Sequence, residues 1–264
     1  MKKNVLGSLC LAAAATFLSH AVQADEFSAS TGSRPFTLGL GILYKDKPYR
    51  GYDSSEKSNA VPLIMYEGEN FFVRGGSLGW KFVSTSPWEV AVVGEYLADG
   101  YESSDSNYLR GMDDRDPSFG LGGHVVWKPT DLGFKLAAVT DVTDNSDGTQ
   151  VRGEMFYTMN SGPWHLRPMA GVIWQDEDYN DYYYGVKNNA KEVNTSIGRT
   201  AYSADSDFNY RLGATLIYQQ KESPWMFLVG ARYDFLGDEI SDSPIVSEDS
   251  ELTAVAGFGY TFGK

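Results

Sequence analysis

From Phe36 onward, large apolar residues alternate with small or polar ones, and this period of two limits the fold more than any other feature of the chain. Phe36, Leu38, Leu40, Ile42 and Tyr44 alternate with Thr37, Gly39, Gly41 and Leu43. The pattern returns at Phe208, Tyr210, Leu212, Ala214, Leu216 and Tyr218, and again at Trp225, Phe227, Val229, Ala231, Tyr233 and Phe235. At about 3.3 Å per residue, strands of this length cross a bilayer when tilted. No apolar run reaches the roughly 18 residues that a membrane-spanning helix needs.

The alternation predicts strands near 36–44, 60–67, 70–76, 78–84, 88–97, 118–128, 134–142, 150–160, 164–175, 208–220, 225–236 and 251–262. That is an even set of about twelve. Ten follow if residues 70–84 form one bent strand across Gly75, Gly76 and Gly79. Tight turns at Gly68-Glu69, Ser86-Pro87, Pro129 to Gly133, Gly162-Pro163 and Ser223-Pro224 alternate with mostly longer polar loops, which is the arrangement of an outer-membrane barrel. Lipid offers backbone groups no partner, so such a sheet must close on itself. The reading is therefore all-β: a transmembrane antiparallel up-and-down barrel over residues 36–264. Ser86-Pro87-Trp88, Gly162-Pro163-Trp164 and Ser223-Pro224-Trp225 form a small repeat that sets three indoles at one membrane interface. The 17 Tyr, 14 Phe and 6 Trp suit such a surface, and 42% hydrophobic content suits a wall that shows lipid every second side chain.

If the aromatic parity faces lipid, Arg74, Lys81, Glu89, Glu95, Lys135, Asp141, Arg152, Glu154, Arg167, Arg211, Arg232 and Asp234 face the lumen. An Arg or Lys on the lipid face at mid-depth costs about 2–4 kcal/mol, so the shared parity of these charges itself supports the barrel. With twelve strands, either a lumen packed with ion pairs or a narrow conducting pore fits this set.

Residues 1–24 have the basic, apolar and small-residue parts of a cleaved signal peptide, with Lys2 and Lys3 ahead of the run from Val5 to Leu18. Residues 25–35 would then form a short periplasmic segment. The only cysteine, Cys10, lies within the signal, so disulfides and thiol chemistry are excluded from the mature chain. Asp and Glu number 35 against 22 Lys and Arg, which argues against a nucleic-acid partner. Most of the acid falls in Asp99–Asp116, Asp176–Asp207 and Asp238–Glu251, read as solvated outer loops facing lipopolysaccharide. Asp144-Asn145-Ser146-Asp147-Gly148 partly imitates a calcium loop, but Thr143 occupies the first ligand position, and a tight turn is the simpler reading. His124 and His165 both have lumen parity, and no hydrolase, metalloprotease or phosphate-loop motif occurs. The expectation is a protein without catalysis, cofactor or metal.

Pro48-Tyr49-Arg50-Gly51-Tyr52, Leu109 to Asp116 with Asp113, Asp114 and Arg115 at its centre, Asp144 to Gly148, Tyr182-Tyr183-Tyr184-Gly185-Val186, and Asp242-Ser243-Pro244-Ile245-Val246 occur in this order along the chain. Together with Val61-Pro62-Leu63-Ile64 and Tyr66 to Arg74, they resemble the MltA-interacting protein (MipA/OmpV) family of Gram-negative outer membranes. The resemblance implies an outer-membrane protein. It also implies a scaffold role, linking a lytic transglycosylase to a penicillin-binding protein in murein metabolism, while other members look like adhesins. Tyr49 and Tyr182 to Tyr184 could stack on sugars or protein surfaces, and Asp113, Asp114 and Arg115 could pin their loop over the barrel mouth. A periplasmic partner would meet the short turns or residues 25–35, because the long loops point away.

Overall fold

The computed structural model of the chain describes residues 35–53 and 58–263. The expected signal peptide, the following segment apart from Pro35, and Lys264 lie outside the described residues. Twelve strands form one closed antiparallel sheet. They are β1 (Phe36–Lys45), β2 (Ser58–Glu67), β3 (Phe71–Arg74), β4 (Ser77–Thr85), β5 (Trp88–Leu97) and β6 (Ser118–Trp127), then β7 (Leu132–Asp141), β8 (Thr149–Tyr157, resuming at Met159–Ser161), β9 (Trp164–Gln175), β10 (Asp207–Gln219), β11 (Trp225–Phe235) and β12 (Ser250–Phe262). Both parts of β8 pair with β9, so the break at Thr158 leaves a single strand.

Each strand pairs with its neighbours in sequence, and β12 returns to β1 from Phe36↔Phe262 to Lys45↔Thr253. Closure leaves no open end to the sheet, as lipid requires. The alternative of ten strands fails at Gly75, whose φ of 65° turns the chain so that Arg74 pairs with Ser77 and β3 and β4 form a hairpin. Along the β1–β12 seam the backbones approach closely. A Cβ on Gly39 would lie 2.0 Å from the Phe258 carbonyl oxygen, so glycine is required there.

The alternation resolves as expected. Leu38, Leu40, Ile42, Tyr210, Leu212, Phe227 and Val229 are exposed on the outer wall, while Thr37, Leu63, Arg211, Leu228 and Asp234 are buried inside. At the short-turn end the aromatic residues form a belt: Phe36 stacks on Phe262 at 5.9 Å, Trp164 lies 4.6 Å from Tyr218, and Trp127 stacks on Phe134 at 5.7 Å. Trp88, Trp164 and Trp225, the indoles of the small repeat, are all exposed at this end. At the opposite end the segments 46–53, 98–117, 176–206 and 236–249 fold inward over the barrel mouth, carrying α1 (Glu177–Tyr184) and a single-turn helix α2 (Asp238–Ser241).

Candidate functional site: the capped lumen

The lumen is filled in three tiers. Nearest the short turns, the Arg74 guanidinium bridges two carboxylates, donating to Glu67 at 3.0 and 3.2 Å and to Glu89 at 3.0 Å through each of two nitrogens. It lies 4.1 Å over the Phe72 ring. Lys81 Nζ donates to Glu67 Oε1 at 2.7 Å and to the Gly68 carbonyl at 2.8 Å, and His124 Nε2 lies 2.8 Å from Glu89 Oε1. The β3–β4 hairpin makes this possible, because Arg74 and Lys81 stand on its two strands with the same inward parity.

In the middle tier, register sets opposite charges side by side. Arg211 faces Asp234 across β10 and β11 and donates to both its oxygens, at 2.5 and 2.9 Å, while its Nη1 approaches Glu154 at 3.9 Å. Arg232 lies 3.5 Å from Asp234, Arg152 binds Glu95, and Lys135 is the register partner of Glu154. Arg167 lies 3.9 Å over the Phe156 ring. Of the twelve lumen charges named from the alternation, Arg74, Arg152, Glu154, Arg167, Arg211, Arg232 and Asp234 thus stand inside the wall in these two tiers. A cavity of about 50 Å³ remains between this tier and the cap, lined among others by Lys45, Asp99, Arg152, Arg211 and Glu251. That is space on the order of a few water molecules.

The third tier is the cap. α1 begins at Asp176, whose carboxylate accepts from the Tyr179 N–H at 3.0 Å and from the Thr149 N–H at 2.9 Å. Its inward face buries Tyr179, Tyr183 and Tyr184. Tyr184 stacks on Tyr49 at 5.8 Å, and Tyr49 meets Tyr101 edge-on at 4.7 Å. The Arg115 Nε donates to the Tyr182 carbonyl at 2.6 Å and its Nη2 to both oxygens of Glu192 at 3.2 Å. Arg199, fully buried, donates to the carbonyls of Glu192, Tyr108 and Arg110. Lys45 joins the cap to the wall, 2.5 Å from Asp99 and 3.6 Å from Glu251, and the Tyr179 hydroxyl donates to the second oxygen of Asp99. Burial works to raise the Asp99 carboxyl, but Lys45 and the Tyr179 hydroxyl prevail and hold it at about 2. Burial pushes the Tyr179, Tyr183 and Tyr184 hydroxyls above their ordinary range, so they stay neutral.

The five sequence blocks converge in this cap. The Pro48 carbonyl accepts from the Ser247 N–H at 2.9 Å, Tyr49 bridges to Val246, and Arg50 donates to the Pro244 and Val246 carbonyls. Gly51 turns the chain beside Ser106, and the Tyr52 ring lies 5.3 Å from Lys47 Nζ. The Gly185 N–H donates to the Asp181 carbonyl at 2.9 Å, and Ser243 Oγ donates to the Tyr184 carbonyl at 2.6 Å. Asp242 closes α2 through its N–H, and Asp114 accepts from the Ser103 N–H at 2.6 Å. Asp113 is exposed and paired with Lys191, whose hydrogen bond holds its carboxyl below the usual range.

Two expectations from the sequence change. Tyr49, Tyr183 and Tyr184 are buried in the cap, so they offer no face for stacking on a sugar or another protein. The acid of the outer loops is not all solvated either: Glu192 is fully buried on Arg115, and Asp99 and Glu251 are held by Lys45. The Asp144 to Gly148 segment is a turn wrapped around one carboxylate. Asp141 Oδ2 accepts from the N–H groups of Asn145, Ser146 and Asp147, and its Oδ1 from that of Thr143. Among the described residues no group of three His, Cys, Asp or Glu side chains is placed to hold a metal ion. His124 is engaged with Glu89, and His165 Nδ1 lies 2.7 Å from Asn160.

Lys45, Glu67, Asp99, Glu192, Arg199 and Glu251 were not singled out from sequence. Lys45 had a signal, since extending the first alternation by one residue gives it lumen parity. Asp99, Glu192 and Arg199 lie in loops, where no period exists to orient a side chain.

The family model for MltA-interacting protein MipA matches residues 38–262, nearly the whole barrel and every block in the cap. The chain belongs to the MltA-interacting protein MipA family. Among MipA relatives, the outer membrane protein YiaT of Escherichia coli (strain K12) is 30% identical over 240 residues, covering 89% of this chain and 94% of YiaT. The MltA-interacting protein of the same organism is 28% identical over 230 residues, covering 86% of this chain and 89% of the relative. Among solved structures, the COG4313 outer membrane channel from Pseudomonas putida F1 aligns over 91% of this chain and all of its own, with a TM-score of 0.46 and 10% identity. With the closed barrel and its aromatic belt, membership of the MipA family places the chain in the cell outer membrane.

Proposed function

We propose that this protein is a closed, non-catalytic outer-membrane scaffold that presents its periplasmic turns to murein enzymes, a lytic transglycosylase and a penicillin-binding protein. The observation that carries the reading is the obstructed lumen. Arg74, Glu67, Glu89, Lys81 and His124 fill the periplasmic half with mutually satisfied charges, and the tyrosine cap seals the outer mouth. Such a barrel serves as an anchor better than as a conduit. The MltA-interacting relative supports the choice of partner. The surface available to that partner is the set of short turns, where Pro129, Thr130, Asp131, Lys221 and Glu222 are exposed. Outer-membrane lipid and lipopolysaccharide surround the wall and loops.

Affinity capture with the full chain from detergent-solubilised envelopes should recover a murein hydrolase or synthase. Charge reversal at Asp131, Lys221 and Glu222 should weaken that capture without changing the barrel's heat-shifted migration. Capture that returns no murein enzyme ends the scaffold reading. Steady single-channel conductance from the intact barrel would favour a narrow solute channel instead.

A further inference from the structure

Three carboxylates meet at the joint between wall and cap, and they are unequally held. Asp234 accepts from two Arg211 nitrogens, at 2.5 and 2.9 Å, and Arg232 lies 3.5 Å from it. Asp99, half-buried just past the end of β5, has the Lys45 ammonium at 2.5 Å and the Tyr179 hydroxyl on its second oxygen. Glu251, the second residue of β12 and buried, is the least well held. Its salt-bridge partner is the same Lys45, at 3.6 Å, and Asp234 stands directly opposite it in the β11–β12 register. A single ammonium therefore serves two carboxylates, and Asp99 is the nearer.

Like charges directly opposite on neighbouring strands repel, and a buried carboxylate without a close counterion keeps its proton to higher pH than one in water. The other ionisable groups at this level leave that balance as it is. Arg152 is bound to Glu95, Arg211 and Arg232 are engaged with Asp234, and burial keeps the Tyr49, Tyr52, Tyr179 and Tyr184 hydroxyls neutral. The cavity of about 50 Å³ beside Lys45, Asp99 and Glu251 gives the carboxyl room to exchange a proton with water. The cluster also joins distant parts of the chain. Lys45 ends β1, Asp99 stands in the loop at 98–117, Glu251 begins the last strand, and Tyr179 belongs to α1. A change at Glu251 thus reaches the inner face of the cap helix through two contacts, Lys45 to Asp99 and Asp99 to Tyr179.

We propose that Glu251 is the proton sensor of a latch between wall and cap: protonated, it leaves Lys45 to Asp99 and the cap stays fastened; ionised, it draws the ammonium away and α1 loosens. The closed cap holds a proton that an opened, hydrated Glu251 would release near the ordinary value of about 4.3, so closure is favoured as pH falls from about 8 toward about 5. In stronger acid Asp99 takes up its own proton, and the fastening is lost from the other side. The latch concerns the outer mouth and is independent of what meets the periplasmic turns.

The test uses the full-length protein in detergent micelles, with hydrogen exchange of the α1 amides read as protection factors, which remove the intrinsic effect of pH on exchange. From about pH 5 to about pH 8, protection should fall about tenfold or more in the unaltered protein. Glu251→Gln, which keeps the shape of the protonated acid, should hold the high value at both ends. Glu248→Gln, at an exposed position in the preceding loop, should keep the fall. If Glu251→Gln does not fold, the carboxyl carbon of Glu251 in the unaltered protein, followed by NMR, reads the titration directly and should shift within the same range. Three results overturn the latch: protection that does not fall, a fall that Glu251→Gln shares with the unaltered protein, or a Glu251 carboxyl already ionised at about pH 5.

Discussion

At the residue scale, the cap depends on charges that have left water and can remain buried only as pairs. Glu192 is fully buried on Arg115, so Arg115→Ala strands a carboxylate in the loop cluster. Breaking one side of such a pair costs about 3–5 kcal/mol, more than a solvated loop ion pair would. The expected outcome is protease cleavage within 176–206 while the strands stay intact, and adding Glu192→Gln should restore much of the protection. Asp99 gives a second prediction. Its carboxyl is held below its ordinary 3.8, at about 2, so its pairing contributes fully above pH 4 and is lost as pH falls from there toward 2. Hydrogen exchange of the α1 amides should therefore speed up across that window. Asp99→Asn, which cannot titrate, should flatten the pH dependence.

At the scale of elements, two pieces bear more than their length suggests. α1 is eight residues long, too short to persist alone, and stands because Asp176 caps it and three tyrosines bury its inner face. Asp176→Ala should cost about 1 kcal/mol and show as local protease sensitivity rather than loss of the barrel. The β1–β12 seam behaves in the opposite way. Gly39→Val places carbon where the Phe258 carbonyl already stands, and because this seam closes the sheet, the compact heat-shiftable form on electrophoresis should be lost. Alternation made the strands legible, since each lipid-facing side chain on an outer wall must be apolar and each charge must turn inward. The hairpin at Gly75 was less so, because glycine is equally common in turns and in tightly packed strands.

At the scale of the whole molecule, side chains crowd the lumen at two levels, the cap and the Arg74 network, which share no side chain, and on the proposed reading each closes it. Replacing residues 176–206 with a short flexible linker should therefore leave the barrel non-conducting in planar bilayers. An open channel from that variant would show that the Arg74 tier alone does not seal the pore. The motif blocks take their meaning at this scale too. Read one by one, the tyrosines looked like contacts for partners and Asp113, Asp114 and Arg115 like pins for their own loop. Assembled, Tyr49, Arg115, Tyr183, Tyr184 and Ser243 hold one another, and most of what the family blocks specify is the fit of the cap.

The sequence by itself determined the barrel, its strand parity, the girdle indoles and the inward set of charges, because all of these follow from a local period imposed by lipid on one side and a packed lumen on the other. Tertiary structure alone decided which charges pair, and that Glu192 and Glu251 are buried and Asp99 half-buried. Those outcomes depend on contacts between residues tens to hundreds of positions apart, such as Lys45 with Asp99 and Glu251. No local pattern encodes which of many like charges will meet when the sheet closes.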